Sequence, residues 1–273
     1  MERRVAQMKP WRAGPPRRSG RKMQLDFDDL IYGIHAVEEA LVAGERLRSL
    51  HVAADRKRDD VLRALLGAAK ERNVAIRFEE RPFFAALPFK AHQGVVAIGP
   101  PFDYASLPDL LAGRPGTPRT FVVLDHLTDP HNVGAIVRTA EAAGAAGVVL
   151  PDRRSAGINA TVRKAAAGAT AHVPIARVSN VAQAIRTMKK AGIWVAGADA
   201  GPQAAPLSGA DFRGDLALVI GAEGSGLSPL IKRECDYLVR IPMKGRVGSL
   251  NASVAAGILI FEALRQRENE PRP

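Results

Sequence analysis

Three stretches of this chain place polar side chains and glycines where a ligand could be held. In the first, Leu124 to Arg138, Asp129 and Pro130 open a helix, Asn132 falls in its first turn and Arg138 follows six residues on. At 1.5 Å per residue those two side chains stand about 9 Å apart along the axis, on different sides of the helix. Taken alone, the stretch reads as a capped helix with a solvated arginine. The second, Val219 to Ser228, ends an apolar run in Gly221, Gly224 and Gly226, with Glu223 between them. Such glycines let backbone approach a ligand closely. Their spacing reverses the dinucleotide-binding fingerprint, and no Lys-Ser/Thr follows to cradle a phosphate, so nucleotide hydrolysis has no support. The third, Ile241 to Ser253, carries Met243, Ser249, Leu250 and Asn251 before a long apolar helix. Ser249 and Asn251 are both good helix caps, and a helix start can also bind an anionic group. No Gly-x-Ser-x-Gly elbow occurs, and the six histidines lack metal-ligand spacing, so no metal is expected.

The elements that must position these loops alternate along the chain. Apolar runs that read as strands recur at Phe121 to Leu124, Val148 to Leu150, Val173 to Ile175, Ile193 to Ala196, Leu216 to Ile220 and Leu238 to Ile241. Between them the spacing predicts helices at Pro130 to Ala143, Ala160 to Gly168, Val181 to Lys190 and Ser253 to Gln266. Such alternation implies an α/β fold, a mostly parallel sheet with helices on both faces and its ligand site at the carboxyl ends of the strands. The last helix, with Val254, Ile258, Leu259, Ile260 and Phe261, is apolar nearly all round, which suits deep burial or sharing with a second subunit. Ahead lies a smaller α/β unit at 28–100, with helices at Ile34 to Val42 and Val61 to Lys70 and strands at Leu50 to Ala53, Val74 to Phe78 and Val95 to Ile98. A Pro- and Gly-rich linker is expected across 101–119, centred on Ser106 to Pro118, with the larger domain spanning 120–268 and a short tail at 269–273.

The chain has 273 residues, 47% of them apolar, with 39 Lys and Arg against 28 Asp and Glu and a net charge of +11. It is long enough to bury a sizeable core. Eight basic residues and a single acid crowd the first 22 positions, where Pro10, Pro15, Pro16, Gly14 and Gly20 oppose a helix. Residues 1–27 therefore read as a disordered basic arm suited to nucleic-acid phosphates. The single cysteine, Cys235, cannot form an internal disulfide, and no apolar run reaches the roughly 18 residues of a membrane span. A soluble, cytoplasmic protein is expected.

Together the three loops say more than any one of them. Asp-Pro-His-Asn-Val-Gly-Ala-Ile-Val-Arg-Thr-Ala from Asp129, Val-Ile-Gly-Ala-Glu-Gly-Ser-Gly-Leu from Val219 and Ile-Pro-Met-x5-Ser-Leu-Asn-Ala-Ser-Val-Ala from Ile241 resemble, in order, the three motifs of the SpoU (TrmH-like) family of SPOUT-class RNA ribose methyltransferases. The front unit, with Tyr32 to Val37 and His92 to Ala97, resembles the small substrate-binding domain of that family's RlmB-like branch, which is similar to ribosomal proteins. The resemblance implies a trefoil-knotted domain that transfers a methyl group from S-adenosylmethionine to a ribose 2′-hydroxyl, on a guanosine of large-subunit (23S) ribosomal RNA, with a transfer RNA ribose methyltransferase or a non-catalytic RNA-binding or ribosome assembly factor as the alternatives. It implies cofactor contacts at Gly197, Gly221, Gly224, Ile241, Met243 and Leu250. The catalytic positions it implies are Arg138, Asn132, Glu223, Ser249 and Asn251, and the family habit implies a homodimer.

Overall fold

The computed structural model describes residues 27–112, 116–246 and 248–268. The expected arm and tail therefore lie outside the described residues, apart from Phe27, as do 113–115 of the expected linker.

The front unit is a four-stranded sheet, β1 (Leu30–Tyr32), β2 (Ser49–Ala53), β3 (Ala75–Glu79) and β4 (Val95–Ile98), in the order β1-β4-β2-β3. β4 runs antiparallel to both of its neighbours, whereas β2 and β3 are parallel. Helices α1 (Ile34–Val42) and α2 (Asp60–Glu71) cover one face, around Ile31, Val37, Leu50, Leu62 and Val95. Asp59 caps α2 by accepting the Leu62 N–H at 2.8 Å. A short helix, α3 (Arg81–Ala85), sends Phe84 to the other face, where it joins Leu30, Tyr32 and Val96.

Part of the stretch expected to be a linker packs against the second unit. Helix α4 (Leu107–Leu111) forms within it, capped by Ser106, and Ala105 bridges to Ala176. Leu110 is buried against Gly147, so the boundary is a packed segment rather than a free connector.

Beyond it comes a seven-stranded sheet in the order β7-β6-β5-β10-β8-β11-β9. Its strands are β5 (Thr120–Asp125), β6 (Gly147–Pro151), β7 (Ile175–Val178), β8 (Trp194–Ala198), β9 (Ala205–Pro206), β10 (Leu216–Gly221) and β11 (Tyr237–Arg240), every pairing parallel. Helices α5 (Pro130–Ala142), α6 (Ala160–Ala165) and α9 (Ala252–Glu268) cover one face, around Leu124, Ile136, Leu218 and Leu259. On the other face α7 (Val181–Lys190), α8 (Pro229–Glu234) and α4 pack around Phe121, Val149, Ile185 and Val219. β5 and β10, at the centre, are buried on both faces, which explains their unbroken apolar runs.

The strand expected at Val173 to Ile175 is displaced, beginning at Ile175. Pro174 has no N–H for a ladder, and Val173 turns back to bond Ala169 O at 3.1 Å. The helix expected to run to Gly168 stops at Ala165 and gives way to a turn at Ala169–Ala171. The units meet through α6: Arg163, 2% exposed, reaches Glu45 at 2.9 Å, and Ala160 packs with Leu30 and Tyr32.

Candidate active site

Asp129 accepts the His131 N–H at 2.9 Å and opens α5 just beyond β5, which sets Asn132, 6% exposed, in the first turn. β10 is the neighbour of β5, with Gly221 in register with Asp125. The loop leaving β10 therefore begins beside the start of α5. It closes on itself through an Ala222 to Gly226 bridge, and a Cβ on Gly221 would stand only 2.2 Å from the Gly226 carbonyl carbon. Only glycine fits there. Asn251, not Ser249, caps α9: its side-chain oxygen accepts the Ser253 N–H at 2.9 Å and the Val254 N–H at 3.3 Å.

These three chain segments deliver one hydrogen-bonded group. Glu223 Oε1 accepts from Asn132 Nδ2 at 3.0 Å, from Asn251 Nδ2 and from the Ala252 N–H at 3.4 Å. Asn251 Nδ2 also donates to Asn132 Oδ1 at 2.9 Å, so both amides are oriented. Glu223 Oε2 has no partner among the described residues. A carboxylate whose second oxygen is open can accept from a ligand hydroxyl or pair with a cation.

Glu223 and Ser249 also line a cavity of about 220 Å³ at the carboxyl ends of β8, β10 and β11. Gly221, Gly224, Ile241, Met243 and Leu250 line it too, so five of the six expected cofactor positions converge there. Gly197 does not. Its Cα faces Leu227, Leu238 and Cys235, and the next residues of that segment, Ala198, Asp199 and Ala200, take its place in the lining. Arg138 also stands outside the hydrogen-bonded group: it is exposed on α5 and has no hydrogen-bond or ion-pair partner among the described residues.

Two carboxylates at the site escaped the motif reading. Asp125, 1% exposed, ends β5; one oxygen accepts the Ser228 N–H at 2.9 Å and the other meets His126 Nδ1 at 2.6 Å, which ties the β10 loop to the β5 loop. The available signal was a charged residue ending an otherwise apolar strand. Asp199 pairs with Lys232 at 2.7 Å at the cavity wall, and nothing in its local sequence marks it.

The cavity suits a ligand with an apolar ring and several polar groups. Ile220, Val239, Ile241 and Leu250 supply apolar wall, Glu223 and Asp199 supply carboxylates, and the Gly221 turn exposes backbone. Comparison with known proteins agrees with this geometry. Residues 119–261 match the SpoU rRNA Methylase family, and residues 30–105 match the family described as RNA 2′-O ribose methyltransferase substrate binding. The chain belongs to the SpoU rRNA Methylase family. As a SpoU-family protein it is an RNA methyltransferase. It is 42% identical over 246 residues to the Bacillus subtilis protein YacO, named as a TrmH family tRNA/rRNA methyltransferase, with 88% of this chain and 96% of that one covered. Among solved structures, AviRb from Streptomyces viridochromogenes, in complex with AdoMet, is 28% identical with a TM-score of 0.74, covering 88% of this chain and 90% of the other. The AdoMet-bound rRNA methyltransferase from Sinorhizobium meliloti is 29% identical with a TM-score of 0.72, covering 86% of each chain.

Proposed function

We propose that this protein transfers a methyl group from S-adenosylmethionine to a ribose 2′-hydroxyl of ribosomal RNA, at a guanosine of the large-subunit RNA. The observation that carries the reading is the junction of the polar group with the cavity: Glu223 belongs to both, held by Asn132 and Asn251. The front unit's match to a ribose methyltransferase substrate-binding family supports the 2′-hydroxyl. The resemblance of that unit to the RlmB-like branch supports the large-subunit guanosine. A trefoil knot is supported by the strand order, in which β10 lies between β5 and β8, and by the return of α9 onto α5.

Gly221, Gly224, Ile241, Met243 and Leu250 would hold S-adenosylmethionine, which when bound supplies an electrophilic methyl on a sulfonium. The chain's own residues do the rest. Asn132 and Asn251 fix Glu223, whose free oxygen receives a hydroxyl or orients Arg138. Arg138 carries a guanidinium, a cation that donates hydrogen bonds and accepts none, so it draws in the flanking phosphate and polarises the 2′-hydroxyl, whose proton would pass to the free Glu223 oxygen as the methyl group is received. Such positioning can supply roughly 7 to 11 kcal/mol of the barrier. Ser249 hydrogen-bonds the bound ribose or cofactor, and the apolar wall excludes water from a step in which charge is dispersed.

The protein acts as a homodimer through the outer face of α9, where Val254, Ile258 and Phe261 are all exposed. It works in a reducing, cytoplasmic compartment, in keeping with its lone cysteine, Cys235. The deciding experiment offers labelled S-adenosylmethionine with protein-free ribosomal RNA and, separately, transfer RNA, to the intact protein and to Arg138→Ala. Label entering large-subunit RNA as one 2′-O-methylguanosine, and lost with Arg138, is the expected result. Label in transfer RNA alone would overturn the substrate, and label on a base would overturn the chemistry.

A further inference from the structure

The carboxyl edge of the large sheet holds a second cleft, of about 310 Å³, at the ends of β5, β6 and β7. The loop from Gly221 to Ser228 separates it from the cofactor cavity: residues 221–226 line the cavity, and Ser228 lines the cleft. We propose that this cleft binds a phosphodiester of the RNA strand that runs on from the methylated ribose, with Arg153 and Arg154 as the phosphate-binding residues. The inference deepens the proposed function and rests on its RNA substrate.

Both arginines are exposed in the cleft wall, and neither has an ion-pair or hydrogen-bond partner among the described residues. Asp152 lies beside them in the same turn yet pairs with neither, so the cations keep their charge for a ligand. Unpaired arginines gathered at a concave wall are suited to phosphate, which a guanidinium can grip with two parallel hydrogen bonds. Ser179 and Ser228 add hydroxyls that likewise have no partner among the described residues. His126 completes the wall. Its Nδ1 is held by Asp125 at 2.6 Å, which leaves Nε2 for a ligand.

Asp125 is what couples this cleft to the reacting centre. Buried at 1% exposure, it holds Ser228 with one oxygen and His126 with the other, and it lies in register with Gly221 on the neighbouring strand. The cleft wall, the glycine loop and Glu223 are therefore parts of one braced edge. A strand with its ribose at Glu223 can cross that loop and set a neighbouring phosphate between the arginines.

The test is RNA binding by the full chain across a salt series, with Arg153→Gln combined with Arg154→Asn. Asparagine is chosen because residue 154 has φ 55, which Asn tolerates. Losing two phosphate contacts should cut the slope of log affinity against log salt by about 1.4, so the intact protein loses about sevenfold more affinity than the variant between 50 and 200 mM salt. Unfolding temperature and S-adenosylmethionine affinity should stay unchanged. The Arg153→Lys, Arg154→Lys pair should restore most of the slope, which a purely structural role for the arginines would not predict. Inorganic phosphate, titrated alone, separates the anion sources: weak phosphate binding together with the lost slope supports the proposal. Phosphate binding with an unchanged RNA slope would make the cleft a free-anion site and overturn it, as would an unchanged slope without phosphate binding. Binding is read without turnover, so failure of methyl transfer by the intact protein would sink the proposed function separately.

Discussion

Glu223 concentrates the donors of two other chain segments on a single oxygen, taking hydrogens from Asn132, Asn251 and the Ala252 amide. Hydrogen bonds to a charged group contribute about 1.5 to 3 kcal/mol each, so removing the charge while keeping the shape should be costly for function. We expect Glu223→Gln to lower kcat about 10- to 100-fold, one to two factors of ten at 1.4 kcal/mol each. A kcat within twofold of the parent would remove Glu223 from the reacting centre. The residues of this site were legible only from the three loops together, in the order of a known family's motifs, because each loop alone reads equally as helix caps, a solvated arginine and a turn carboxylate. Which of them touch was not legible. Asn132 and Glu223 are 91 positions apart, and only the pairing of β5 with β10 brings them together. Ser249 and Asn251 were equivalent as caps on paper; the chain path into α9 chose Asn251 and left Ser249 to the cavity.

At the scale of elements, the amino ends of the two central strands are clamped by Arg119 and Asp215. The Arg119 N–H donates to Asp215 at 2.7 Å, its guanidinium donates at 2.6 and 3.0 Å, and it also reaches Leu111 O at the end of α4. Burial alone would raise the Asp215 carboxyl, but hydrogen bonds from the Arg119 side chain and amide and the charges of Arg119 and Arg267 outweigh it and hold the pKa below the usual carboxylate range. A depressed folded-state pKa contributes stability that is present above the unfolded value, near 3.9, and lost as pH falls through the folded one. Asp215→Asn should therefore cost about 2 kcal/mol in urea unfolding at pH 7, with the gap to the parent closing below about pH 4. A gap independent of pH would show that the clamp acts without the carboxylate's charge. The long periodic helices α1, α5, α7 and α9 were readable to within a residue or two. Helices α3, α4 and α8 were not, because five or six residues hold too little of a 3.6-residue period to show a face.

For the whole molecule, the exposed residues Val254, Ile258 and Phe261 recur at i, i+4 and i+7 on α9, opposite buried Ala256, Leu259, Ile260 and Ala263. One apolar face serves the core and the other is free, which is why the helix reads as apolar nearly all round. We expect light scattering at micromolar concentration to give the mass of two chains and Ile258→Glu to give that of one; a monomeric parent would end the dimer proposal. Charge acts at this scale too, since eight of the 39 Lys and Arg residues lie in the first 22 positions. Deleting residues 1–22 should weaken RNA binding and flatten its salt dependence, each lost phosphate contact removing about 0.7 to 0.9 from the slope. An unchanged slope would mean that the arm makes no phosphate contacts.

By itself the sequence determined the α/β alternation, the parallel sheet and the three loops that carry chemistry, because hydrophobic period, strand length and glycine placement are local properties. Only the tertiary structure decided strand order, and with it the neighbours of each loop. β10 is inserted between β5 and β8, so loops far apart in the chain share one edge, Gly197 turns into the core while Glu223 reaches the cavity, and Asp125 braces two clefts. Those contacts depend on how strands pair across long separations, a choice that no short stretch of residues encodes.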